Sequence, residues 1–138
     1  MANPILGTAV MAVPVTALYG ALTLLLVVGL GLNVSRLRGK YQVFRGDGGH
    51  KELALASRAH GNLVEHAPMI VLMLLIAELC GGNSTVLQIF GVALLVARLS
   101  HALGFLTGRM LAGIAGATLT YAVELGLAIY VLVLRPWS

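Results

Sequence analysis

The chain is 138 residues long, 59% apolar and only 10% charged, with a formal net charge of +4. A soluble domain carries about 25% charged residues, so a chain this apolar cannot cover its own surface and the bilayer must cover part of it. The single cysteine, Cys80, excludes an intrachain disulfide and a multi-cysteine metal site.

The length suits one domain. The first predicted membrane span runs from about Pro14 to Leu32. No basic residue precedes Arg36 and no cleavage site is evident, so this run reads as a retained helix rather than a secretory signal. Residues 33–52 are expected to form a long basic loop holding Arg36, Arg38, Lys40, Arg45 and Lys51. The run lacks the aromatic interleaving and the motifs of a nucleic-acid site, and membrane charge bias explains it. Within it, Gly46-Asp47-Gly48-Gly49 favours positive φ. It is either a plain turn or a loop folding over the mouth of a site.

The second span is predicted over about Ser57 to Leu79, the third over Thr85 to Leu106 and the fourth over Gly113 to Leu134. Each is about 20 residues, as a spanning helix requires, and none alternates as a barrel strand would. Cys80-Gly81-Gly82-Asn83 and Thr107-Gly108-Arg109 are expected to be tight turns, so the helices run up-down-up-down. The positive-inside rule puts the first loop and the last turn in the cytoplasm and both termini outside, with Arg135 and Trp137 near that outer interface. Ala112, Gly116 and Thr120, and the Gly104/Gly108 pair, are small-residue stripes of the kind that let helices approach in lipid.

The most informative polar residues open the second span. Arg58, Asn62 and Glu65 are spaced by four and three, hence on one helical face, with His60 and His66 nearby. Arg98 and His101 share a face of the third helix, which Phe105 continues. Polar groups at bilayer depth mark either a functional site or a helix–helix contact. The structural alternative is an Arg58–Glu65 pair with Asn62 bonded to a neighbouring helix. The functional one is a pocket for a small anion that also carries an amine. Pro68 frees the carbonyl of Val64, as a simple kink or as an acceptor lining the site. A metal site is disfavoured: no H-x-x-x-H or E-x-x-H spacing occurs and the arginines repel a cation. No serine or cysteine nucleophile is set beside a base. Glu78 is expected to be solvated near the outer end of the second helix. Glu124 is expected to bond a neighbouring helix, and a proton-coupled transport role would use it.

The pattern Arg58-Ala59-His60-x-Asn62-x-x-Glu65, together with Arg98-x-x-His101 and the basic exit Arg36-Leu37-Arg38, resembles the MAPEG proteins, the membrane-associated proteins of eicosanoid and glutathione metabolism. The glycine loop before Arg58 resembles the small bacterial branch of that family, and the resemblance covers essentially the whole chain. It implies an all-α four-helix membrane bundle, a homotrimer, and glutathione bound between subunits near the cytoplasmic face. It also implies transferase or peroxidase chemistry, as in microsomal glutathione transferases, on a lipophilic small molecule arriving from the bilayer of a bacterial inner membrane. Carried over by position, the glutathione contacts are Arg36, Arg58, His60, Asn62, Glu65, Arg98 and His101. Arginines suit the two carboxylates of glutathione and Glu65 suits its ammonium.

The chain also departs from the pattern. Gly61 stands where catalytic relatives carry a second arginine, Phe105 where they often carry a tyrosine, and Gly113 to Thr118 lack the arginine they place near the thiol. Arg98 or Arg109 is left as the cation able to stabilise a thiolate, with Thr118 and Tyr121 as alternative hydrogen-bond donors. Two functions are therefore expected: a glutathione-dependent enzyme acting on lipophilic electrophiles, or a non-catalytic membrane protein binding lipid or glutathione.

Overall fold

The computed structural model describes residues 12–135; Trp137 lies outside the described residues. Among them, four helices follow one another: α1 (Pro14–Tyr41), α2 (Lys51–Leu79), α3 (Ser84–Thr107) and α4 (Met110–Leu134). Each is long and apolar enough to cross a membrane. Successive helices run in opposite directions because the connections are short.

Local chemistry sets the ends. Pro14 opens α1, where its missing N–H costs no hydrogen bond. Asn83 caps α3, its Oδ1 accepting from the N–H groups of Thr85 (2.9 Å) and Val86 (3.3 Å). Gly108 ends α3 in the left-handed region at φ 71°, which lets the chain reverse at once into α4.

The long basic loop expected over residues 33–52 is a correction. α1 continues to Tyr41 and α2 begins at Lys51, so Arg36, Arg38 and Lys40 are helical residues. Arg38 and Lys40 occupy the last turn of α1, where cations oppose the negative end of the helix dipole. The loop that remains is held at both ends. Lys40 Nζ and Tyr41 OH donate to Glu52 Oε2 at 2.9 and 2.5 Å, and the Tyr41 and His50 rings stack at 4.0 Å.

Glu78 also corrects its expectation. It is half-buried, and its two carboxylate oxygens accept from the backbone N–H groups of Val15 (2.9 Å) and Thr16 (2.7 Å). It caps the first turn of a neighbouring helix, where a carboxylate also meets the positive end of the dipole.

Helix α2 is the hub, packing against α1, α3 and α4, whereas α1 and α4 do not touch among the described residues. Its buried positions Leu63, Ala67, Ile70 and Leu74 recur at helical spacing and meet Leu30, Leu94 and Leu127 from the other helices. The outward surface is aliphatic: Leu24, Leu25, Leu111 and Val133 are all exposed, as lipid contact allows. Lipid gives no hydrophobic drive between helices, so close packing at small residues carries the contact. A Cβ at Gly104 would meet the backbone of Gly113, and one at Gly116 would meet the backbone of His101. The small residues legible in the sequence thus set how near α3 lies to α4.

Candidate functional site

The site is built around Arg98, halfway along α3 and only 2% exposed. Its neighbours Leu94, Ala97 and His101 are also buried, so the helix turns this face inward and takes the guanidinium with it. Arg98 Nη2 donates to Asn62 Oδ1 on α2 at 2.5 Å, and Nη1 donates to Thr120 Oγ1 on α4 at 3.0 Å. The Thr120 hydroxyl in turn donates to the Gly116 carbonyl at 2.8 Å. One side chain therefore ties three helices together, using the fixed fork of donors that distinguishes arginine from lysine.

Two buried nitrogens near this hub remain without a partner: Arg98 Nε and His101 Nδ1. His101 lies one turn from Arg98 toward the end of the bundle that carries the basic residues, and is 5% exposed. Its ring packs against Phe105 with centroids 4.9 Å apart. A buried polar atom left unpaired costs about 1–3 kcal/mol, so each is a position where a ligand atom gains a ready partner.

His101 and Phe105 line a crevice of about 390 Å³ that opens at the basic end between α2, α3 and α4. Leu55, Gly113, Ile114 and Ala117 make the rest of its wall largely apolar. A second cavity of about 500 Å³ lies on the other side of Leu55, bounded by Asn33 and Leu37 of α1, Lys51 and Glu52 of α2, and Leu106 of α3.

The remaining sequence-derived residues fall into three places. Arg58 and Glu65 share the flank of α2 with Asn62, but both are exposed and form no hydrogen bond or ion pair within the chain, so the Arg58–Glu65 pair does not occur. His60 is on the opposite flank, where its Nε2 stands close to Gly31 of α1. Arg36 is exposed on α1 and donates to Asn33 Oδ1 at 3.0 Å, beside the second cavity. Arg109 precedes α4 and lines a groove with Leu99, Ser100 and Ala112 that is separate from the crevice lined by His101. Within the chain the structure joins Asn62 to Arg98, sets His101 next to them, and leaves Arg36, His60 and Arg109 apart.

The sequence reading missed Thr120 as a partner of Arg98, having placed it only in a packing stripe. Its signal was weak: a hydroxyl one turn from the mid-helix carboxylate Glu124. Glu124 itself bonds a neighbouring helix as expected, with His66 Nδ1 and Glu124 Oε1 2.7 Å apart. No group of three or more His, Cys, Asp or Glu able to hold a metal occurs among the described residues.

The model of the MAPEG family matches residues 16–133. The inner membrane protein YecN of Escherichia coli strain K12 is 43% identical over 91 residues, which is 66% of this chain and 70% of the relative. The protein of the same name from Escherichia coli O6:H1 strain CFT073 aligns with the same identity and coverage. No solved structure matches the chain.

Proposed function

The chain belongs to the MAPEG family, and from that premise we propose that it is a glutathione-dependent transferase or peroxidase acting on lipophilic electrophiles. The observation that carries this reading is the pair of buried, unpartnered nitrogens, Arg98 Nε and His101 Nδ1, one of them in the wall of a crevice open at the basic end. A carboxylate of glutathione would satisfy both through charge-assisted hydrogen bonds. Arg58 would take the second carboxylate and Glu65 the ammonium, since both side chains stand unpaired on the flank that carries Asn62.

A homotrimer fits the same geometry. Arg36 and His60 do not reach the Arg98 cluster within one subunit, so a neighbouring copy would have to bring them to it. Glu65 is exposed near the middle of a spanning helix, where an uncovered charge is expensive. A second copy packed on the α2 and α4 flank removes that cost. The relative's name, inner membrane protein, supports placement in a bacterial inner membrane. Arg45 of the 42–50 loop and the basic residues Arg36, Arg38, Lys40 and Lys51 of the adjoining helix ends favour a cytoplasmic position for that side.

A second reading has its own support. The crevice wall beside His101 carries Gly113, Ile114 and Ala117 and no cation, so a thiolate there lacks the usual positive neighbour. That suits a protein that holds glutathione or a lipid without turning it over. Conjugation of glutathione to a chlorinated nitroaromatic by purified protein in micelles tests both readings. Product above the uncatalysed rate supports the enzyme, glutathione binding without turnover supports the binder, and no binding contradicts the glutathione site.

A further inference from the structure

His66 and Glu124 lie near the midpoints of α2 and α4. His66 is one turn beyond Asn62 on α2, and Glu124 one turn beyond Thr120 on α4, so the pair continues the ladder of polar groups that starts at His101 and Arg98. The contact is 2.7 Å, the two side chains are 21% and 29% exposed, and the Tyr121 ring stands edge-on to the imidazole at 5.6 Å.

The contact admits either tautomer of His66; in the one used below, Nδ1 donates to Glu124. Arg98 is a buried cation with no carboxylate among its hydrogen-bond partners, and such a cation in a spanning helix needs a counter-charge. Glu124 and Glu65 are the carboxylates within electrostatic reach of it. With Glu124 ionised, Nδ1 of a neutral His66 carries the proton and donates it to Oε1. Nε2 then keeps its lone pair, and it makes no hydrogen bond in the structure. An imidazole held at one nitrogen by a carboxylate and free at the other is the arrangement of a general base.

We propose that His66, oriented by Glu124, is the base that takes the thiol proton of glutathione. This rests on the glutathione-dependent reading above. The S–H bond breaks, its proton passes to His66 Nε2 and the electron pair stays on sulfur. The imidazolium is stabilised by Glu124. The thiolate then attacks the electrophilic carbon, a C–S bond forms, and the leaving group departs with its electron pair. His66 returns its proton to water. His66 is the catalytic residue here and Glu124 a positioning residue. The dyad supplies what the crevice wall lacks, a means of making thiolate without a cation beside the sulfur. Tyr121 beside the imidazole is 60% exposed, so a lipophilic substrate can approach the pair from the outer face of the bundle.

The groups around the His66–Glu124 pair are Tyr121 from α4 and His101 from α3, which act on His66, and Arg98, which acts on Glu124, with Asn62 and Glu65 within one turn of His66 on α2. The test follows the ultraviolet thiolate absorbance of protein-bound glutathione against pH, with calorimetric binding measured in parallel. In the wild type the thiolate is expected to form well below the ~8.5 of an unperturbed thiol. His66→Gln should keep glutathione binding, lose that low-pH thiolate and drop kcat about 100-fold at neutral pH, with activity returning as alkali ionises the thiol. Glu124→Gln should move the thiolate midpoint upward with KM little changed, and Glu124→Asp should restore it in part. Bound glutathione that stays a thiol at neutral pH in the wild type, or a His66→Gln variant with the wild-type thiolate profile, overturns the proposal. Absence of glutathione binding to the wild type overturns the underlying glutathione reading instead, and the base with it.

Discussion

The guanidinium of Arg98 reaches across the bundle to the side-chain oxygen of Asn62, Nη2 to Oδ1, at 2.5 Å. The donor is buried and the acceptor half-buried, so the bond is shielded from competing water. Asn62→Ala would leave a charged donor without its acceptor. A loss of about 1.5–3 kcal/mol is expected, read as a lower unfolding midpoint in detergent. Asn62→Asp, which keeps an acceptor and adds a counter-charge, should be tolerated much better. Equal midpoints for wild type and Asn62→Ala would remove this bond from the account of stability.

Two glycines on α4 should behave differently on the same substitution. A Cβ at Gly116 collides with the backbone of His101 and Ala97, which cannot move without separating α3 from α4. A Cβ at Gly113 meets only Gly104 Cα at 3.9 Å, an ordinary contact. Gly116→Ala should cost about 1–3 kcal/mol by overpacking, whereas Gly113→Ala should be close to neutral. Thermal unfolding of the two variants side by side checks this, and equal losses would contradict the helix spacing described here.

Glu78 caps a helix that begins more than sixty residues earlier in the chain. Glu78→Ala exposes two backbone donors of α1 and removes a charge from its positive end. A destabilisation of about 1–2 kcal/mol is expected, with faster amide hydrogen exchange at Val15 and Thr16. Glu78→Gln, which keeps one acceptor, should lie between. Unchanged exchange at those amides in Glu78→Ala would rule out the cap.

Arg58 and Glu65 should matter to ligand binding and little to folding, because neither bonds within the chain. Arg58→Ala is expected to weaken glutathione binding by about 1.5–3 kcal/mol if the guanidinium pairs with a carboxylate. Glu65→Gln should abolish the preference for glutathione over an analogue lacking the amine. Calorimetry on the folded variants decides both.

The membrane helices were legible because each needs an apolar run long enough to cross the bilayer, and Leu, Val, Ala and Ile supply it without ambiguity. Their ends were less so. Arg36, Arg38 and Lys40 read as loop because they are polar, yet a helix can carry cations past the hydrocarbon core into the headgroup layer. The face shared by Arg58, Asn62 and Glu65 followed from spacing alone. His60, two residues from Arg58, turned to α1 for the same geometric reason, although the motif grouped it with the others. Thr120 and Glu78 could not be foreseen as they stand. Their partners lie 22 and more than sixty residues away, and only the packing of helices brings such groups together.

The most direct measurement is a structure of the protein in lipid with glutathione bound. A carboxylate of the tripeptide is predicted within hydrogen-bond distance of Arg98 Nε or His101 Nδ1, with a second copy of the chain closing the site. Glutathione located away from both of those nitrogens would contradict the account.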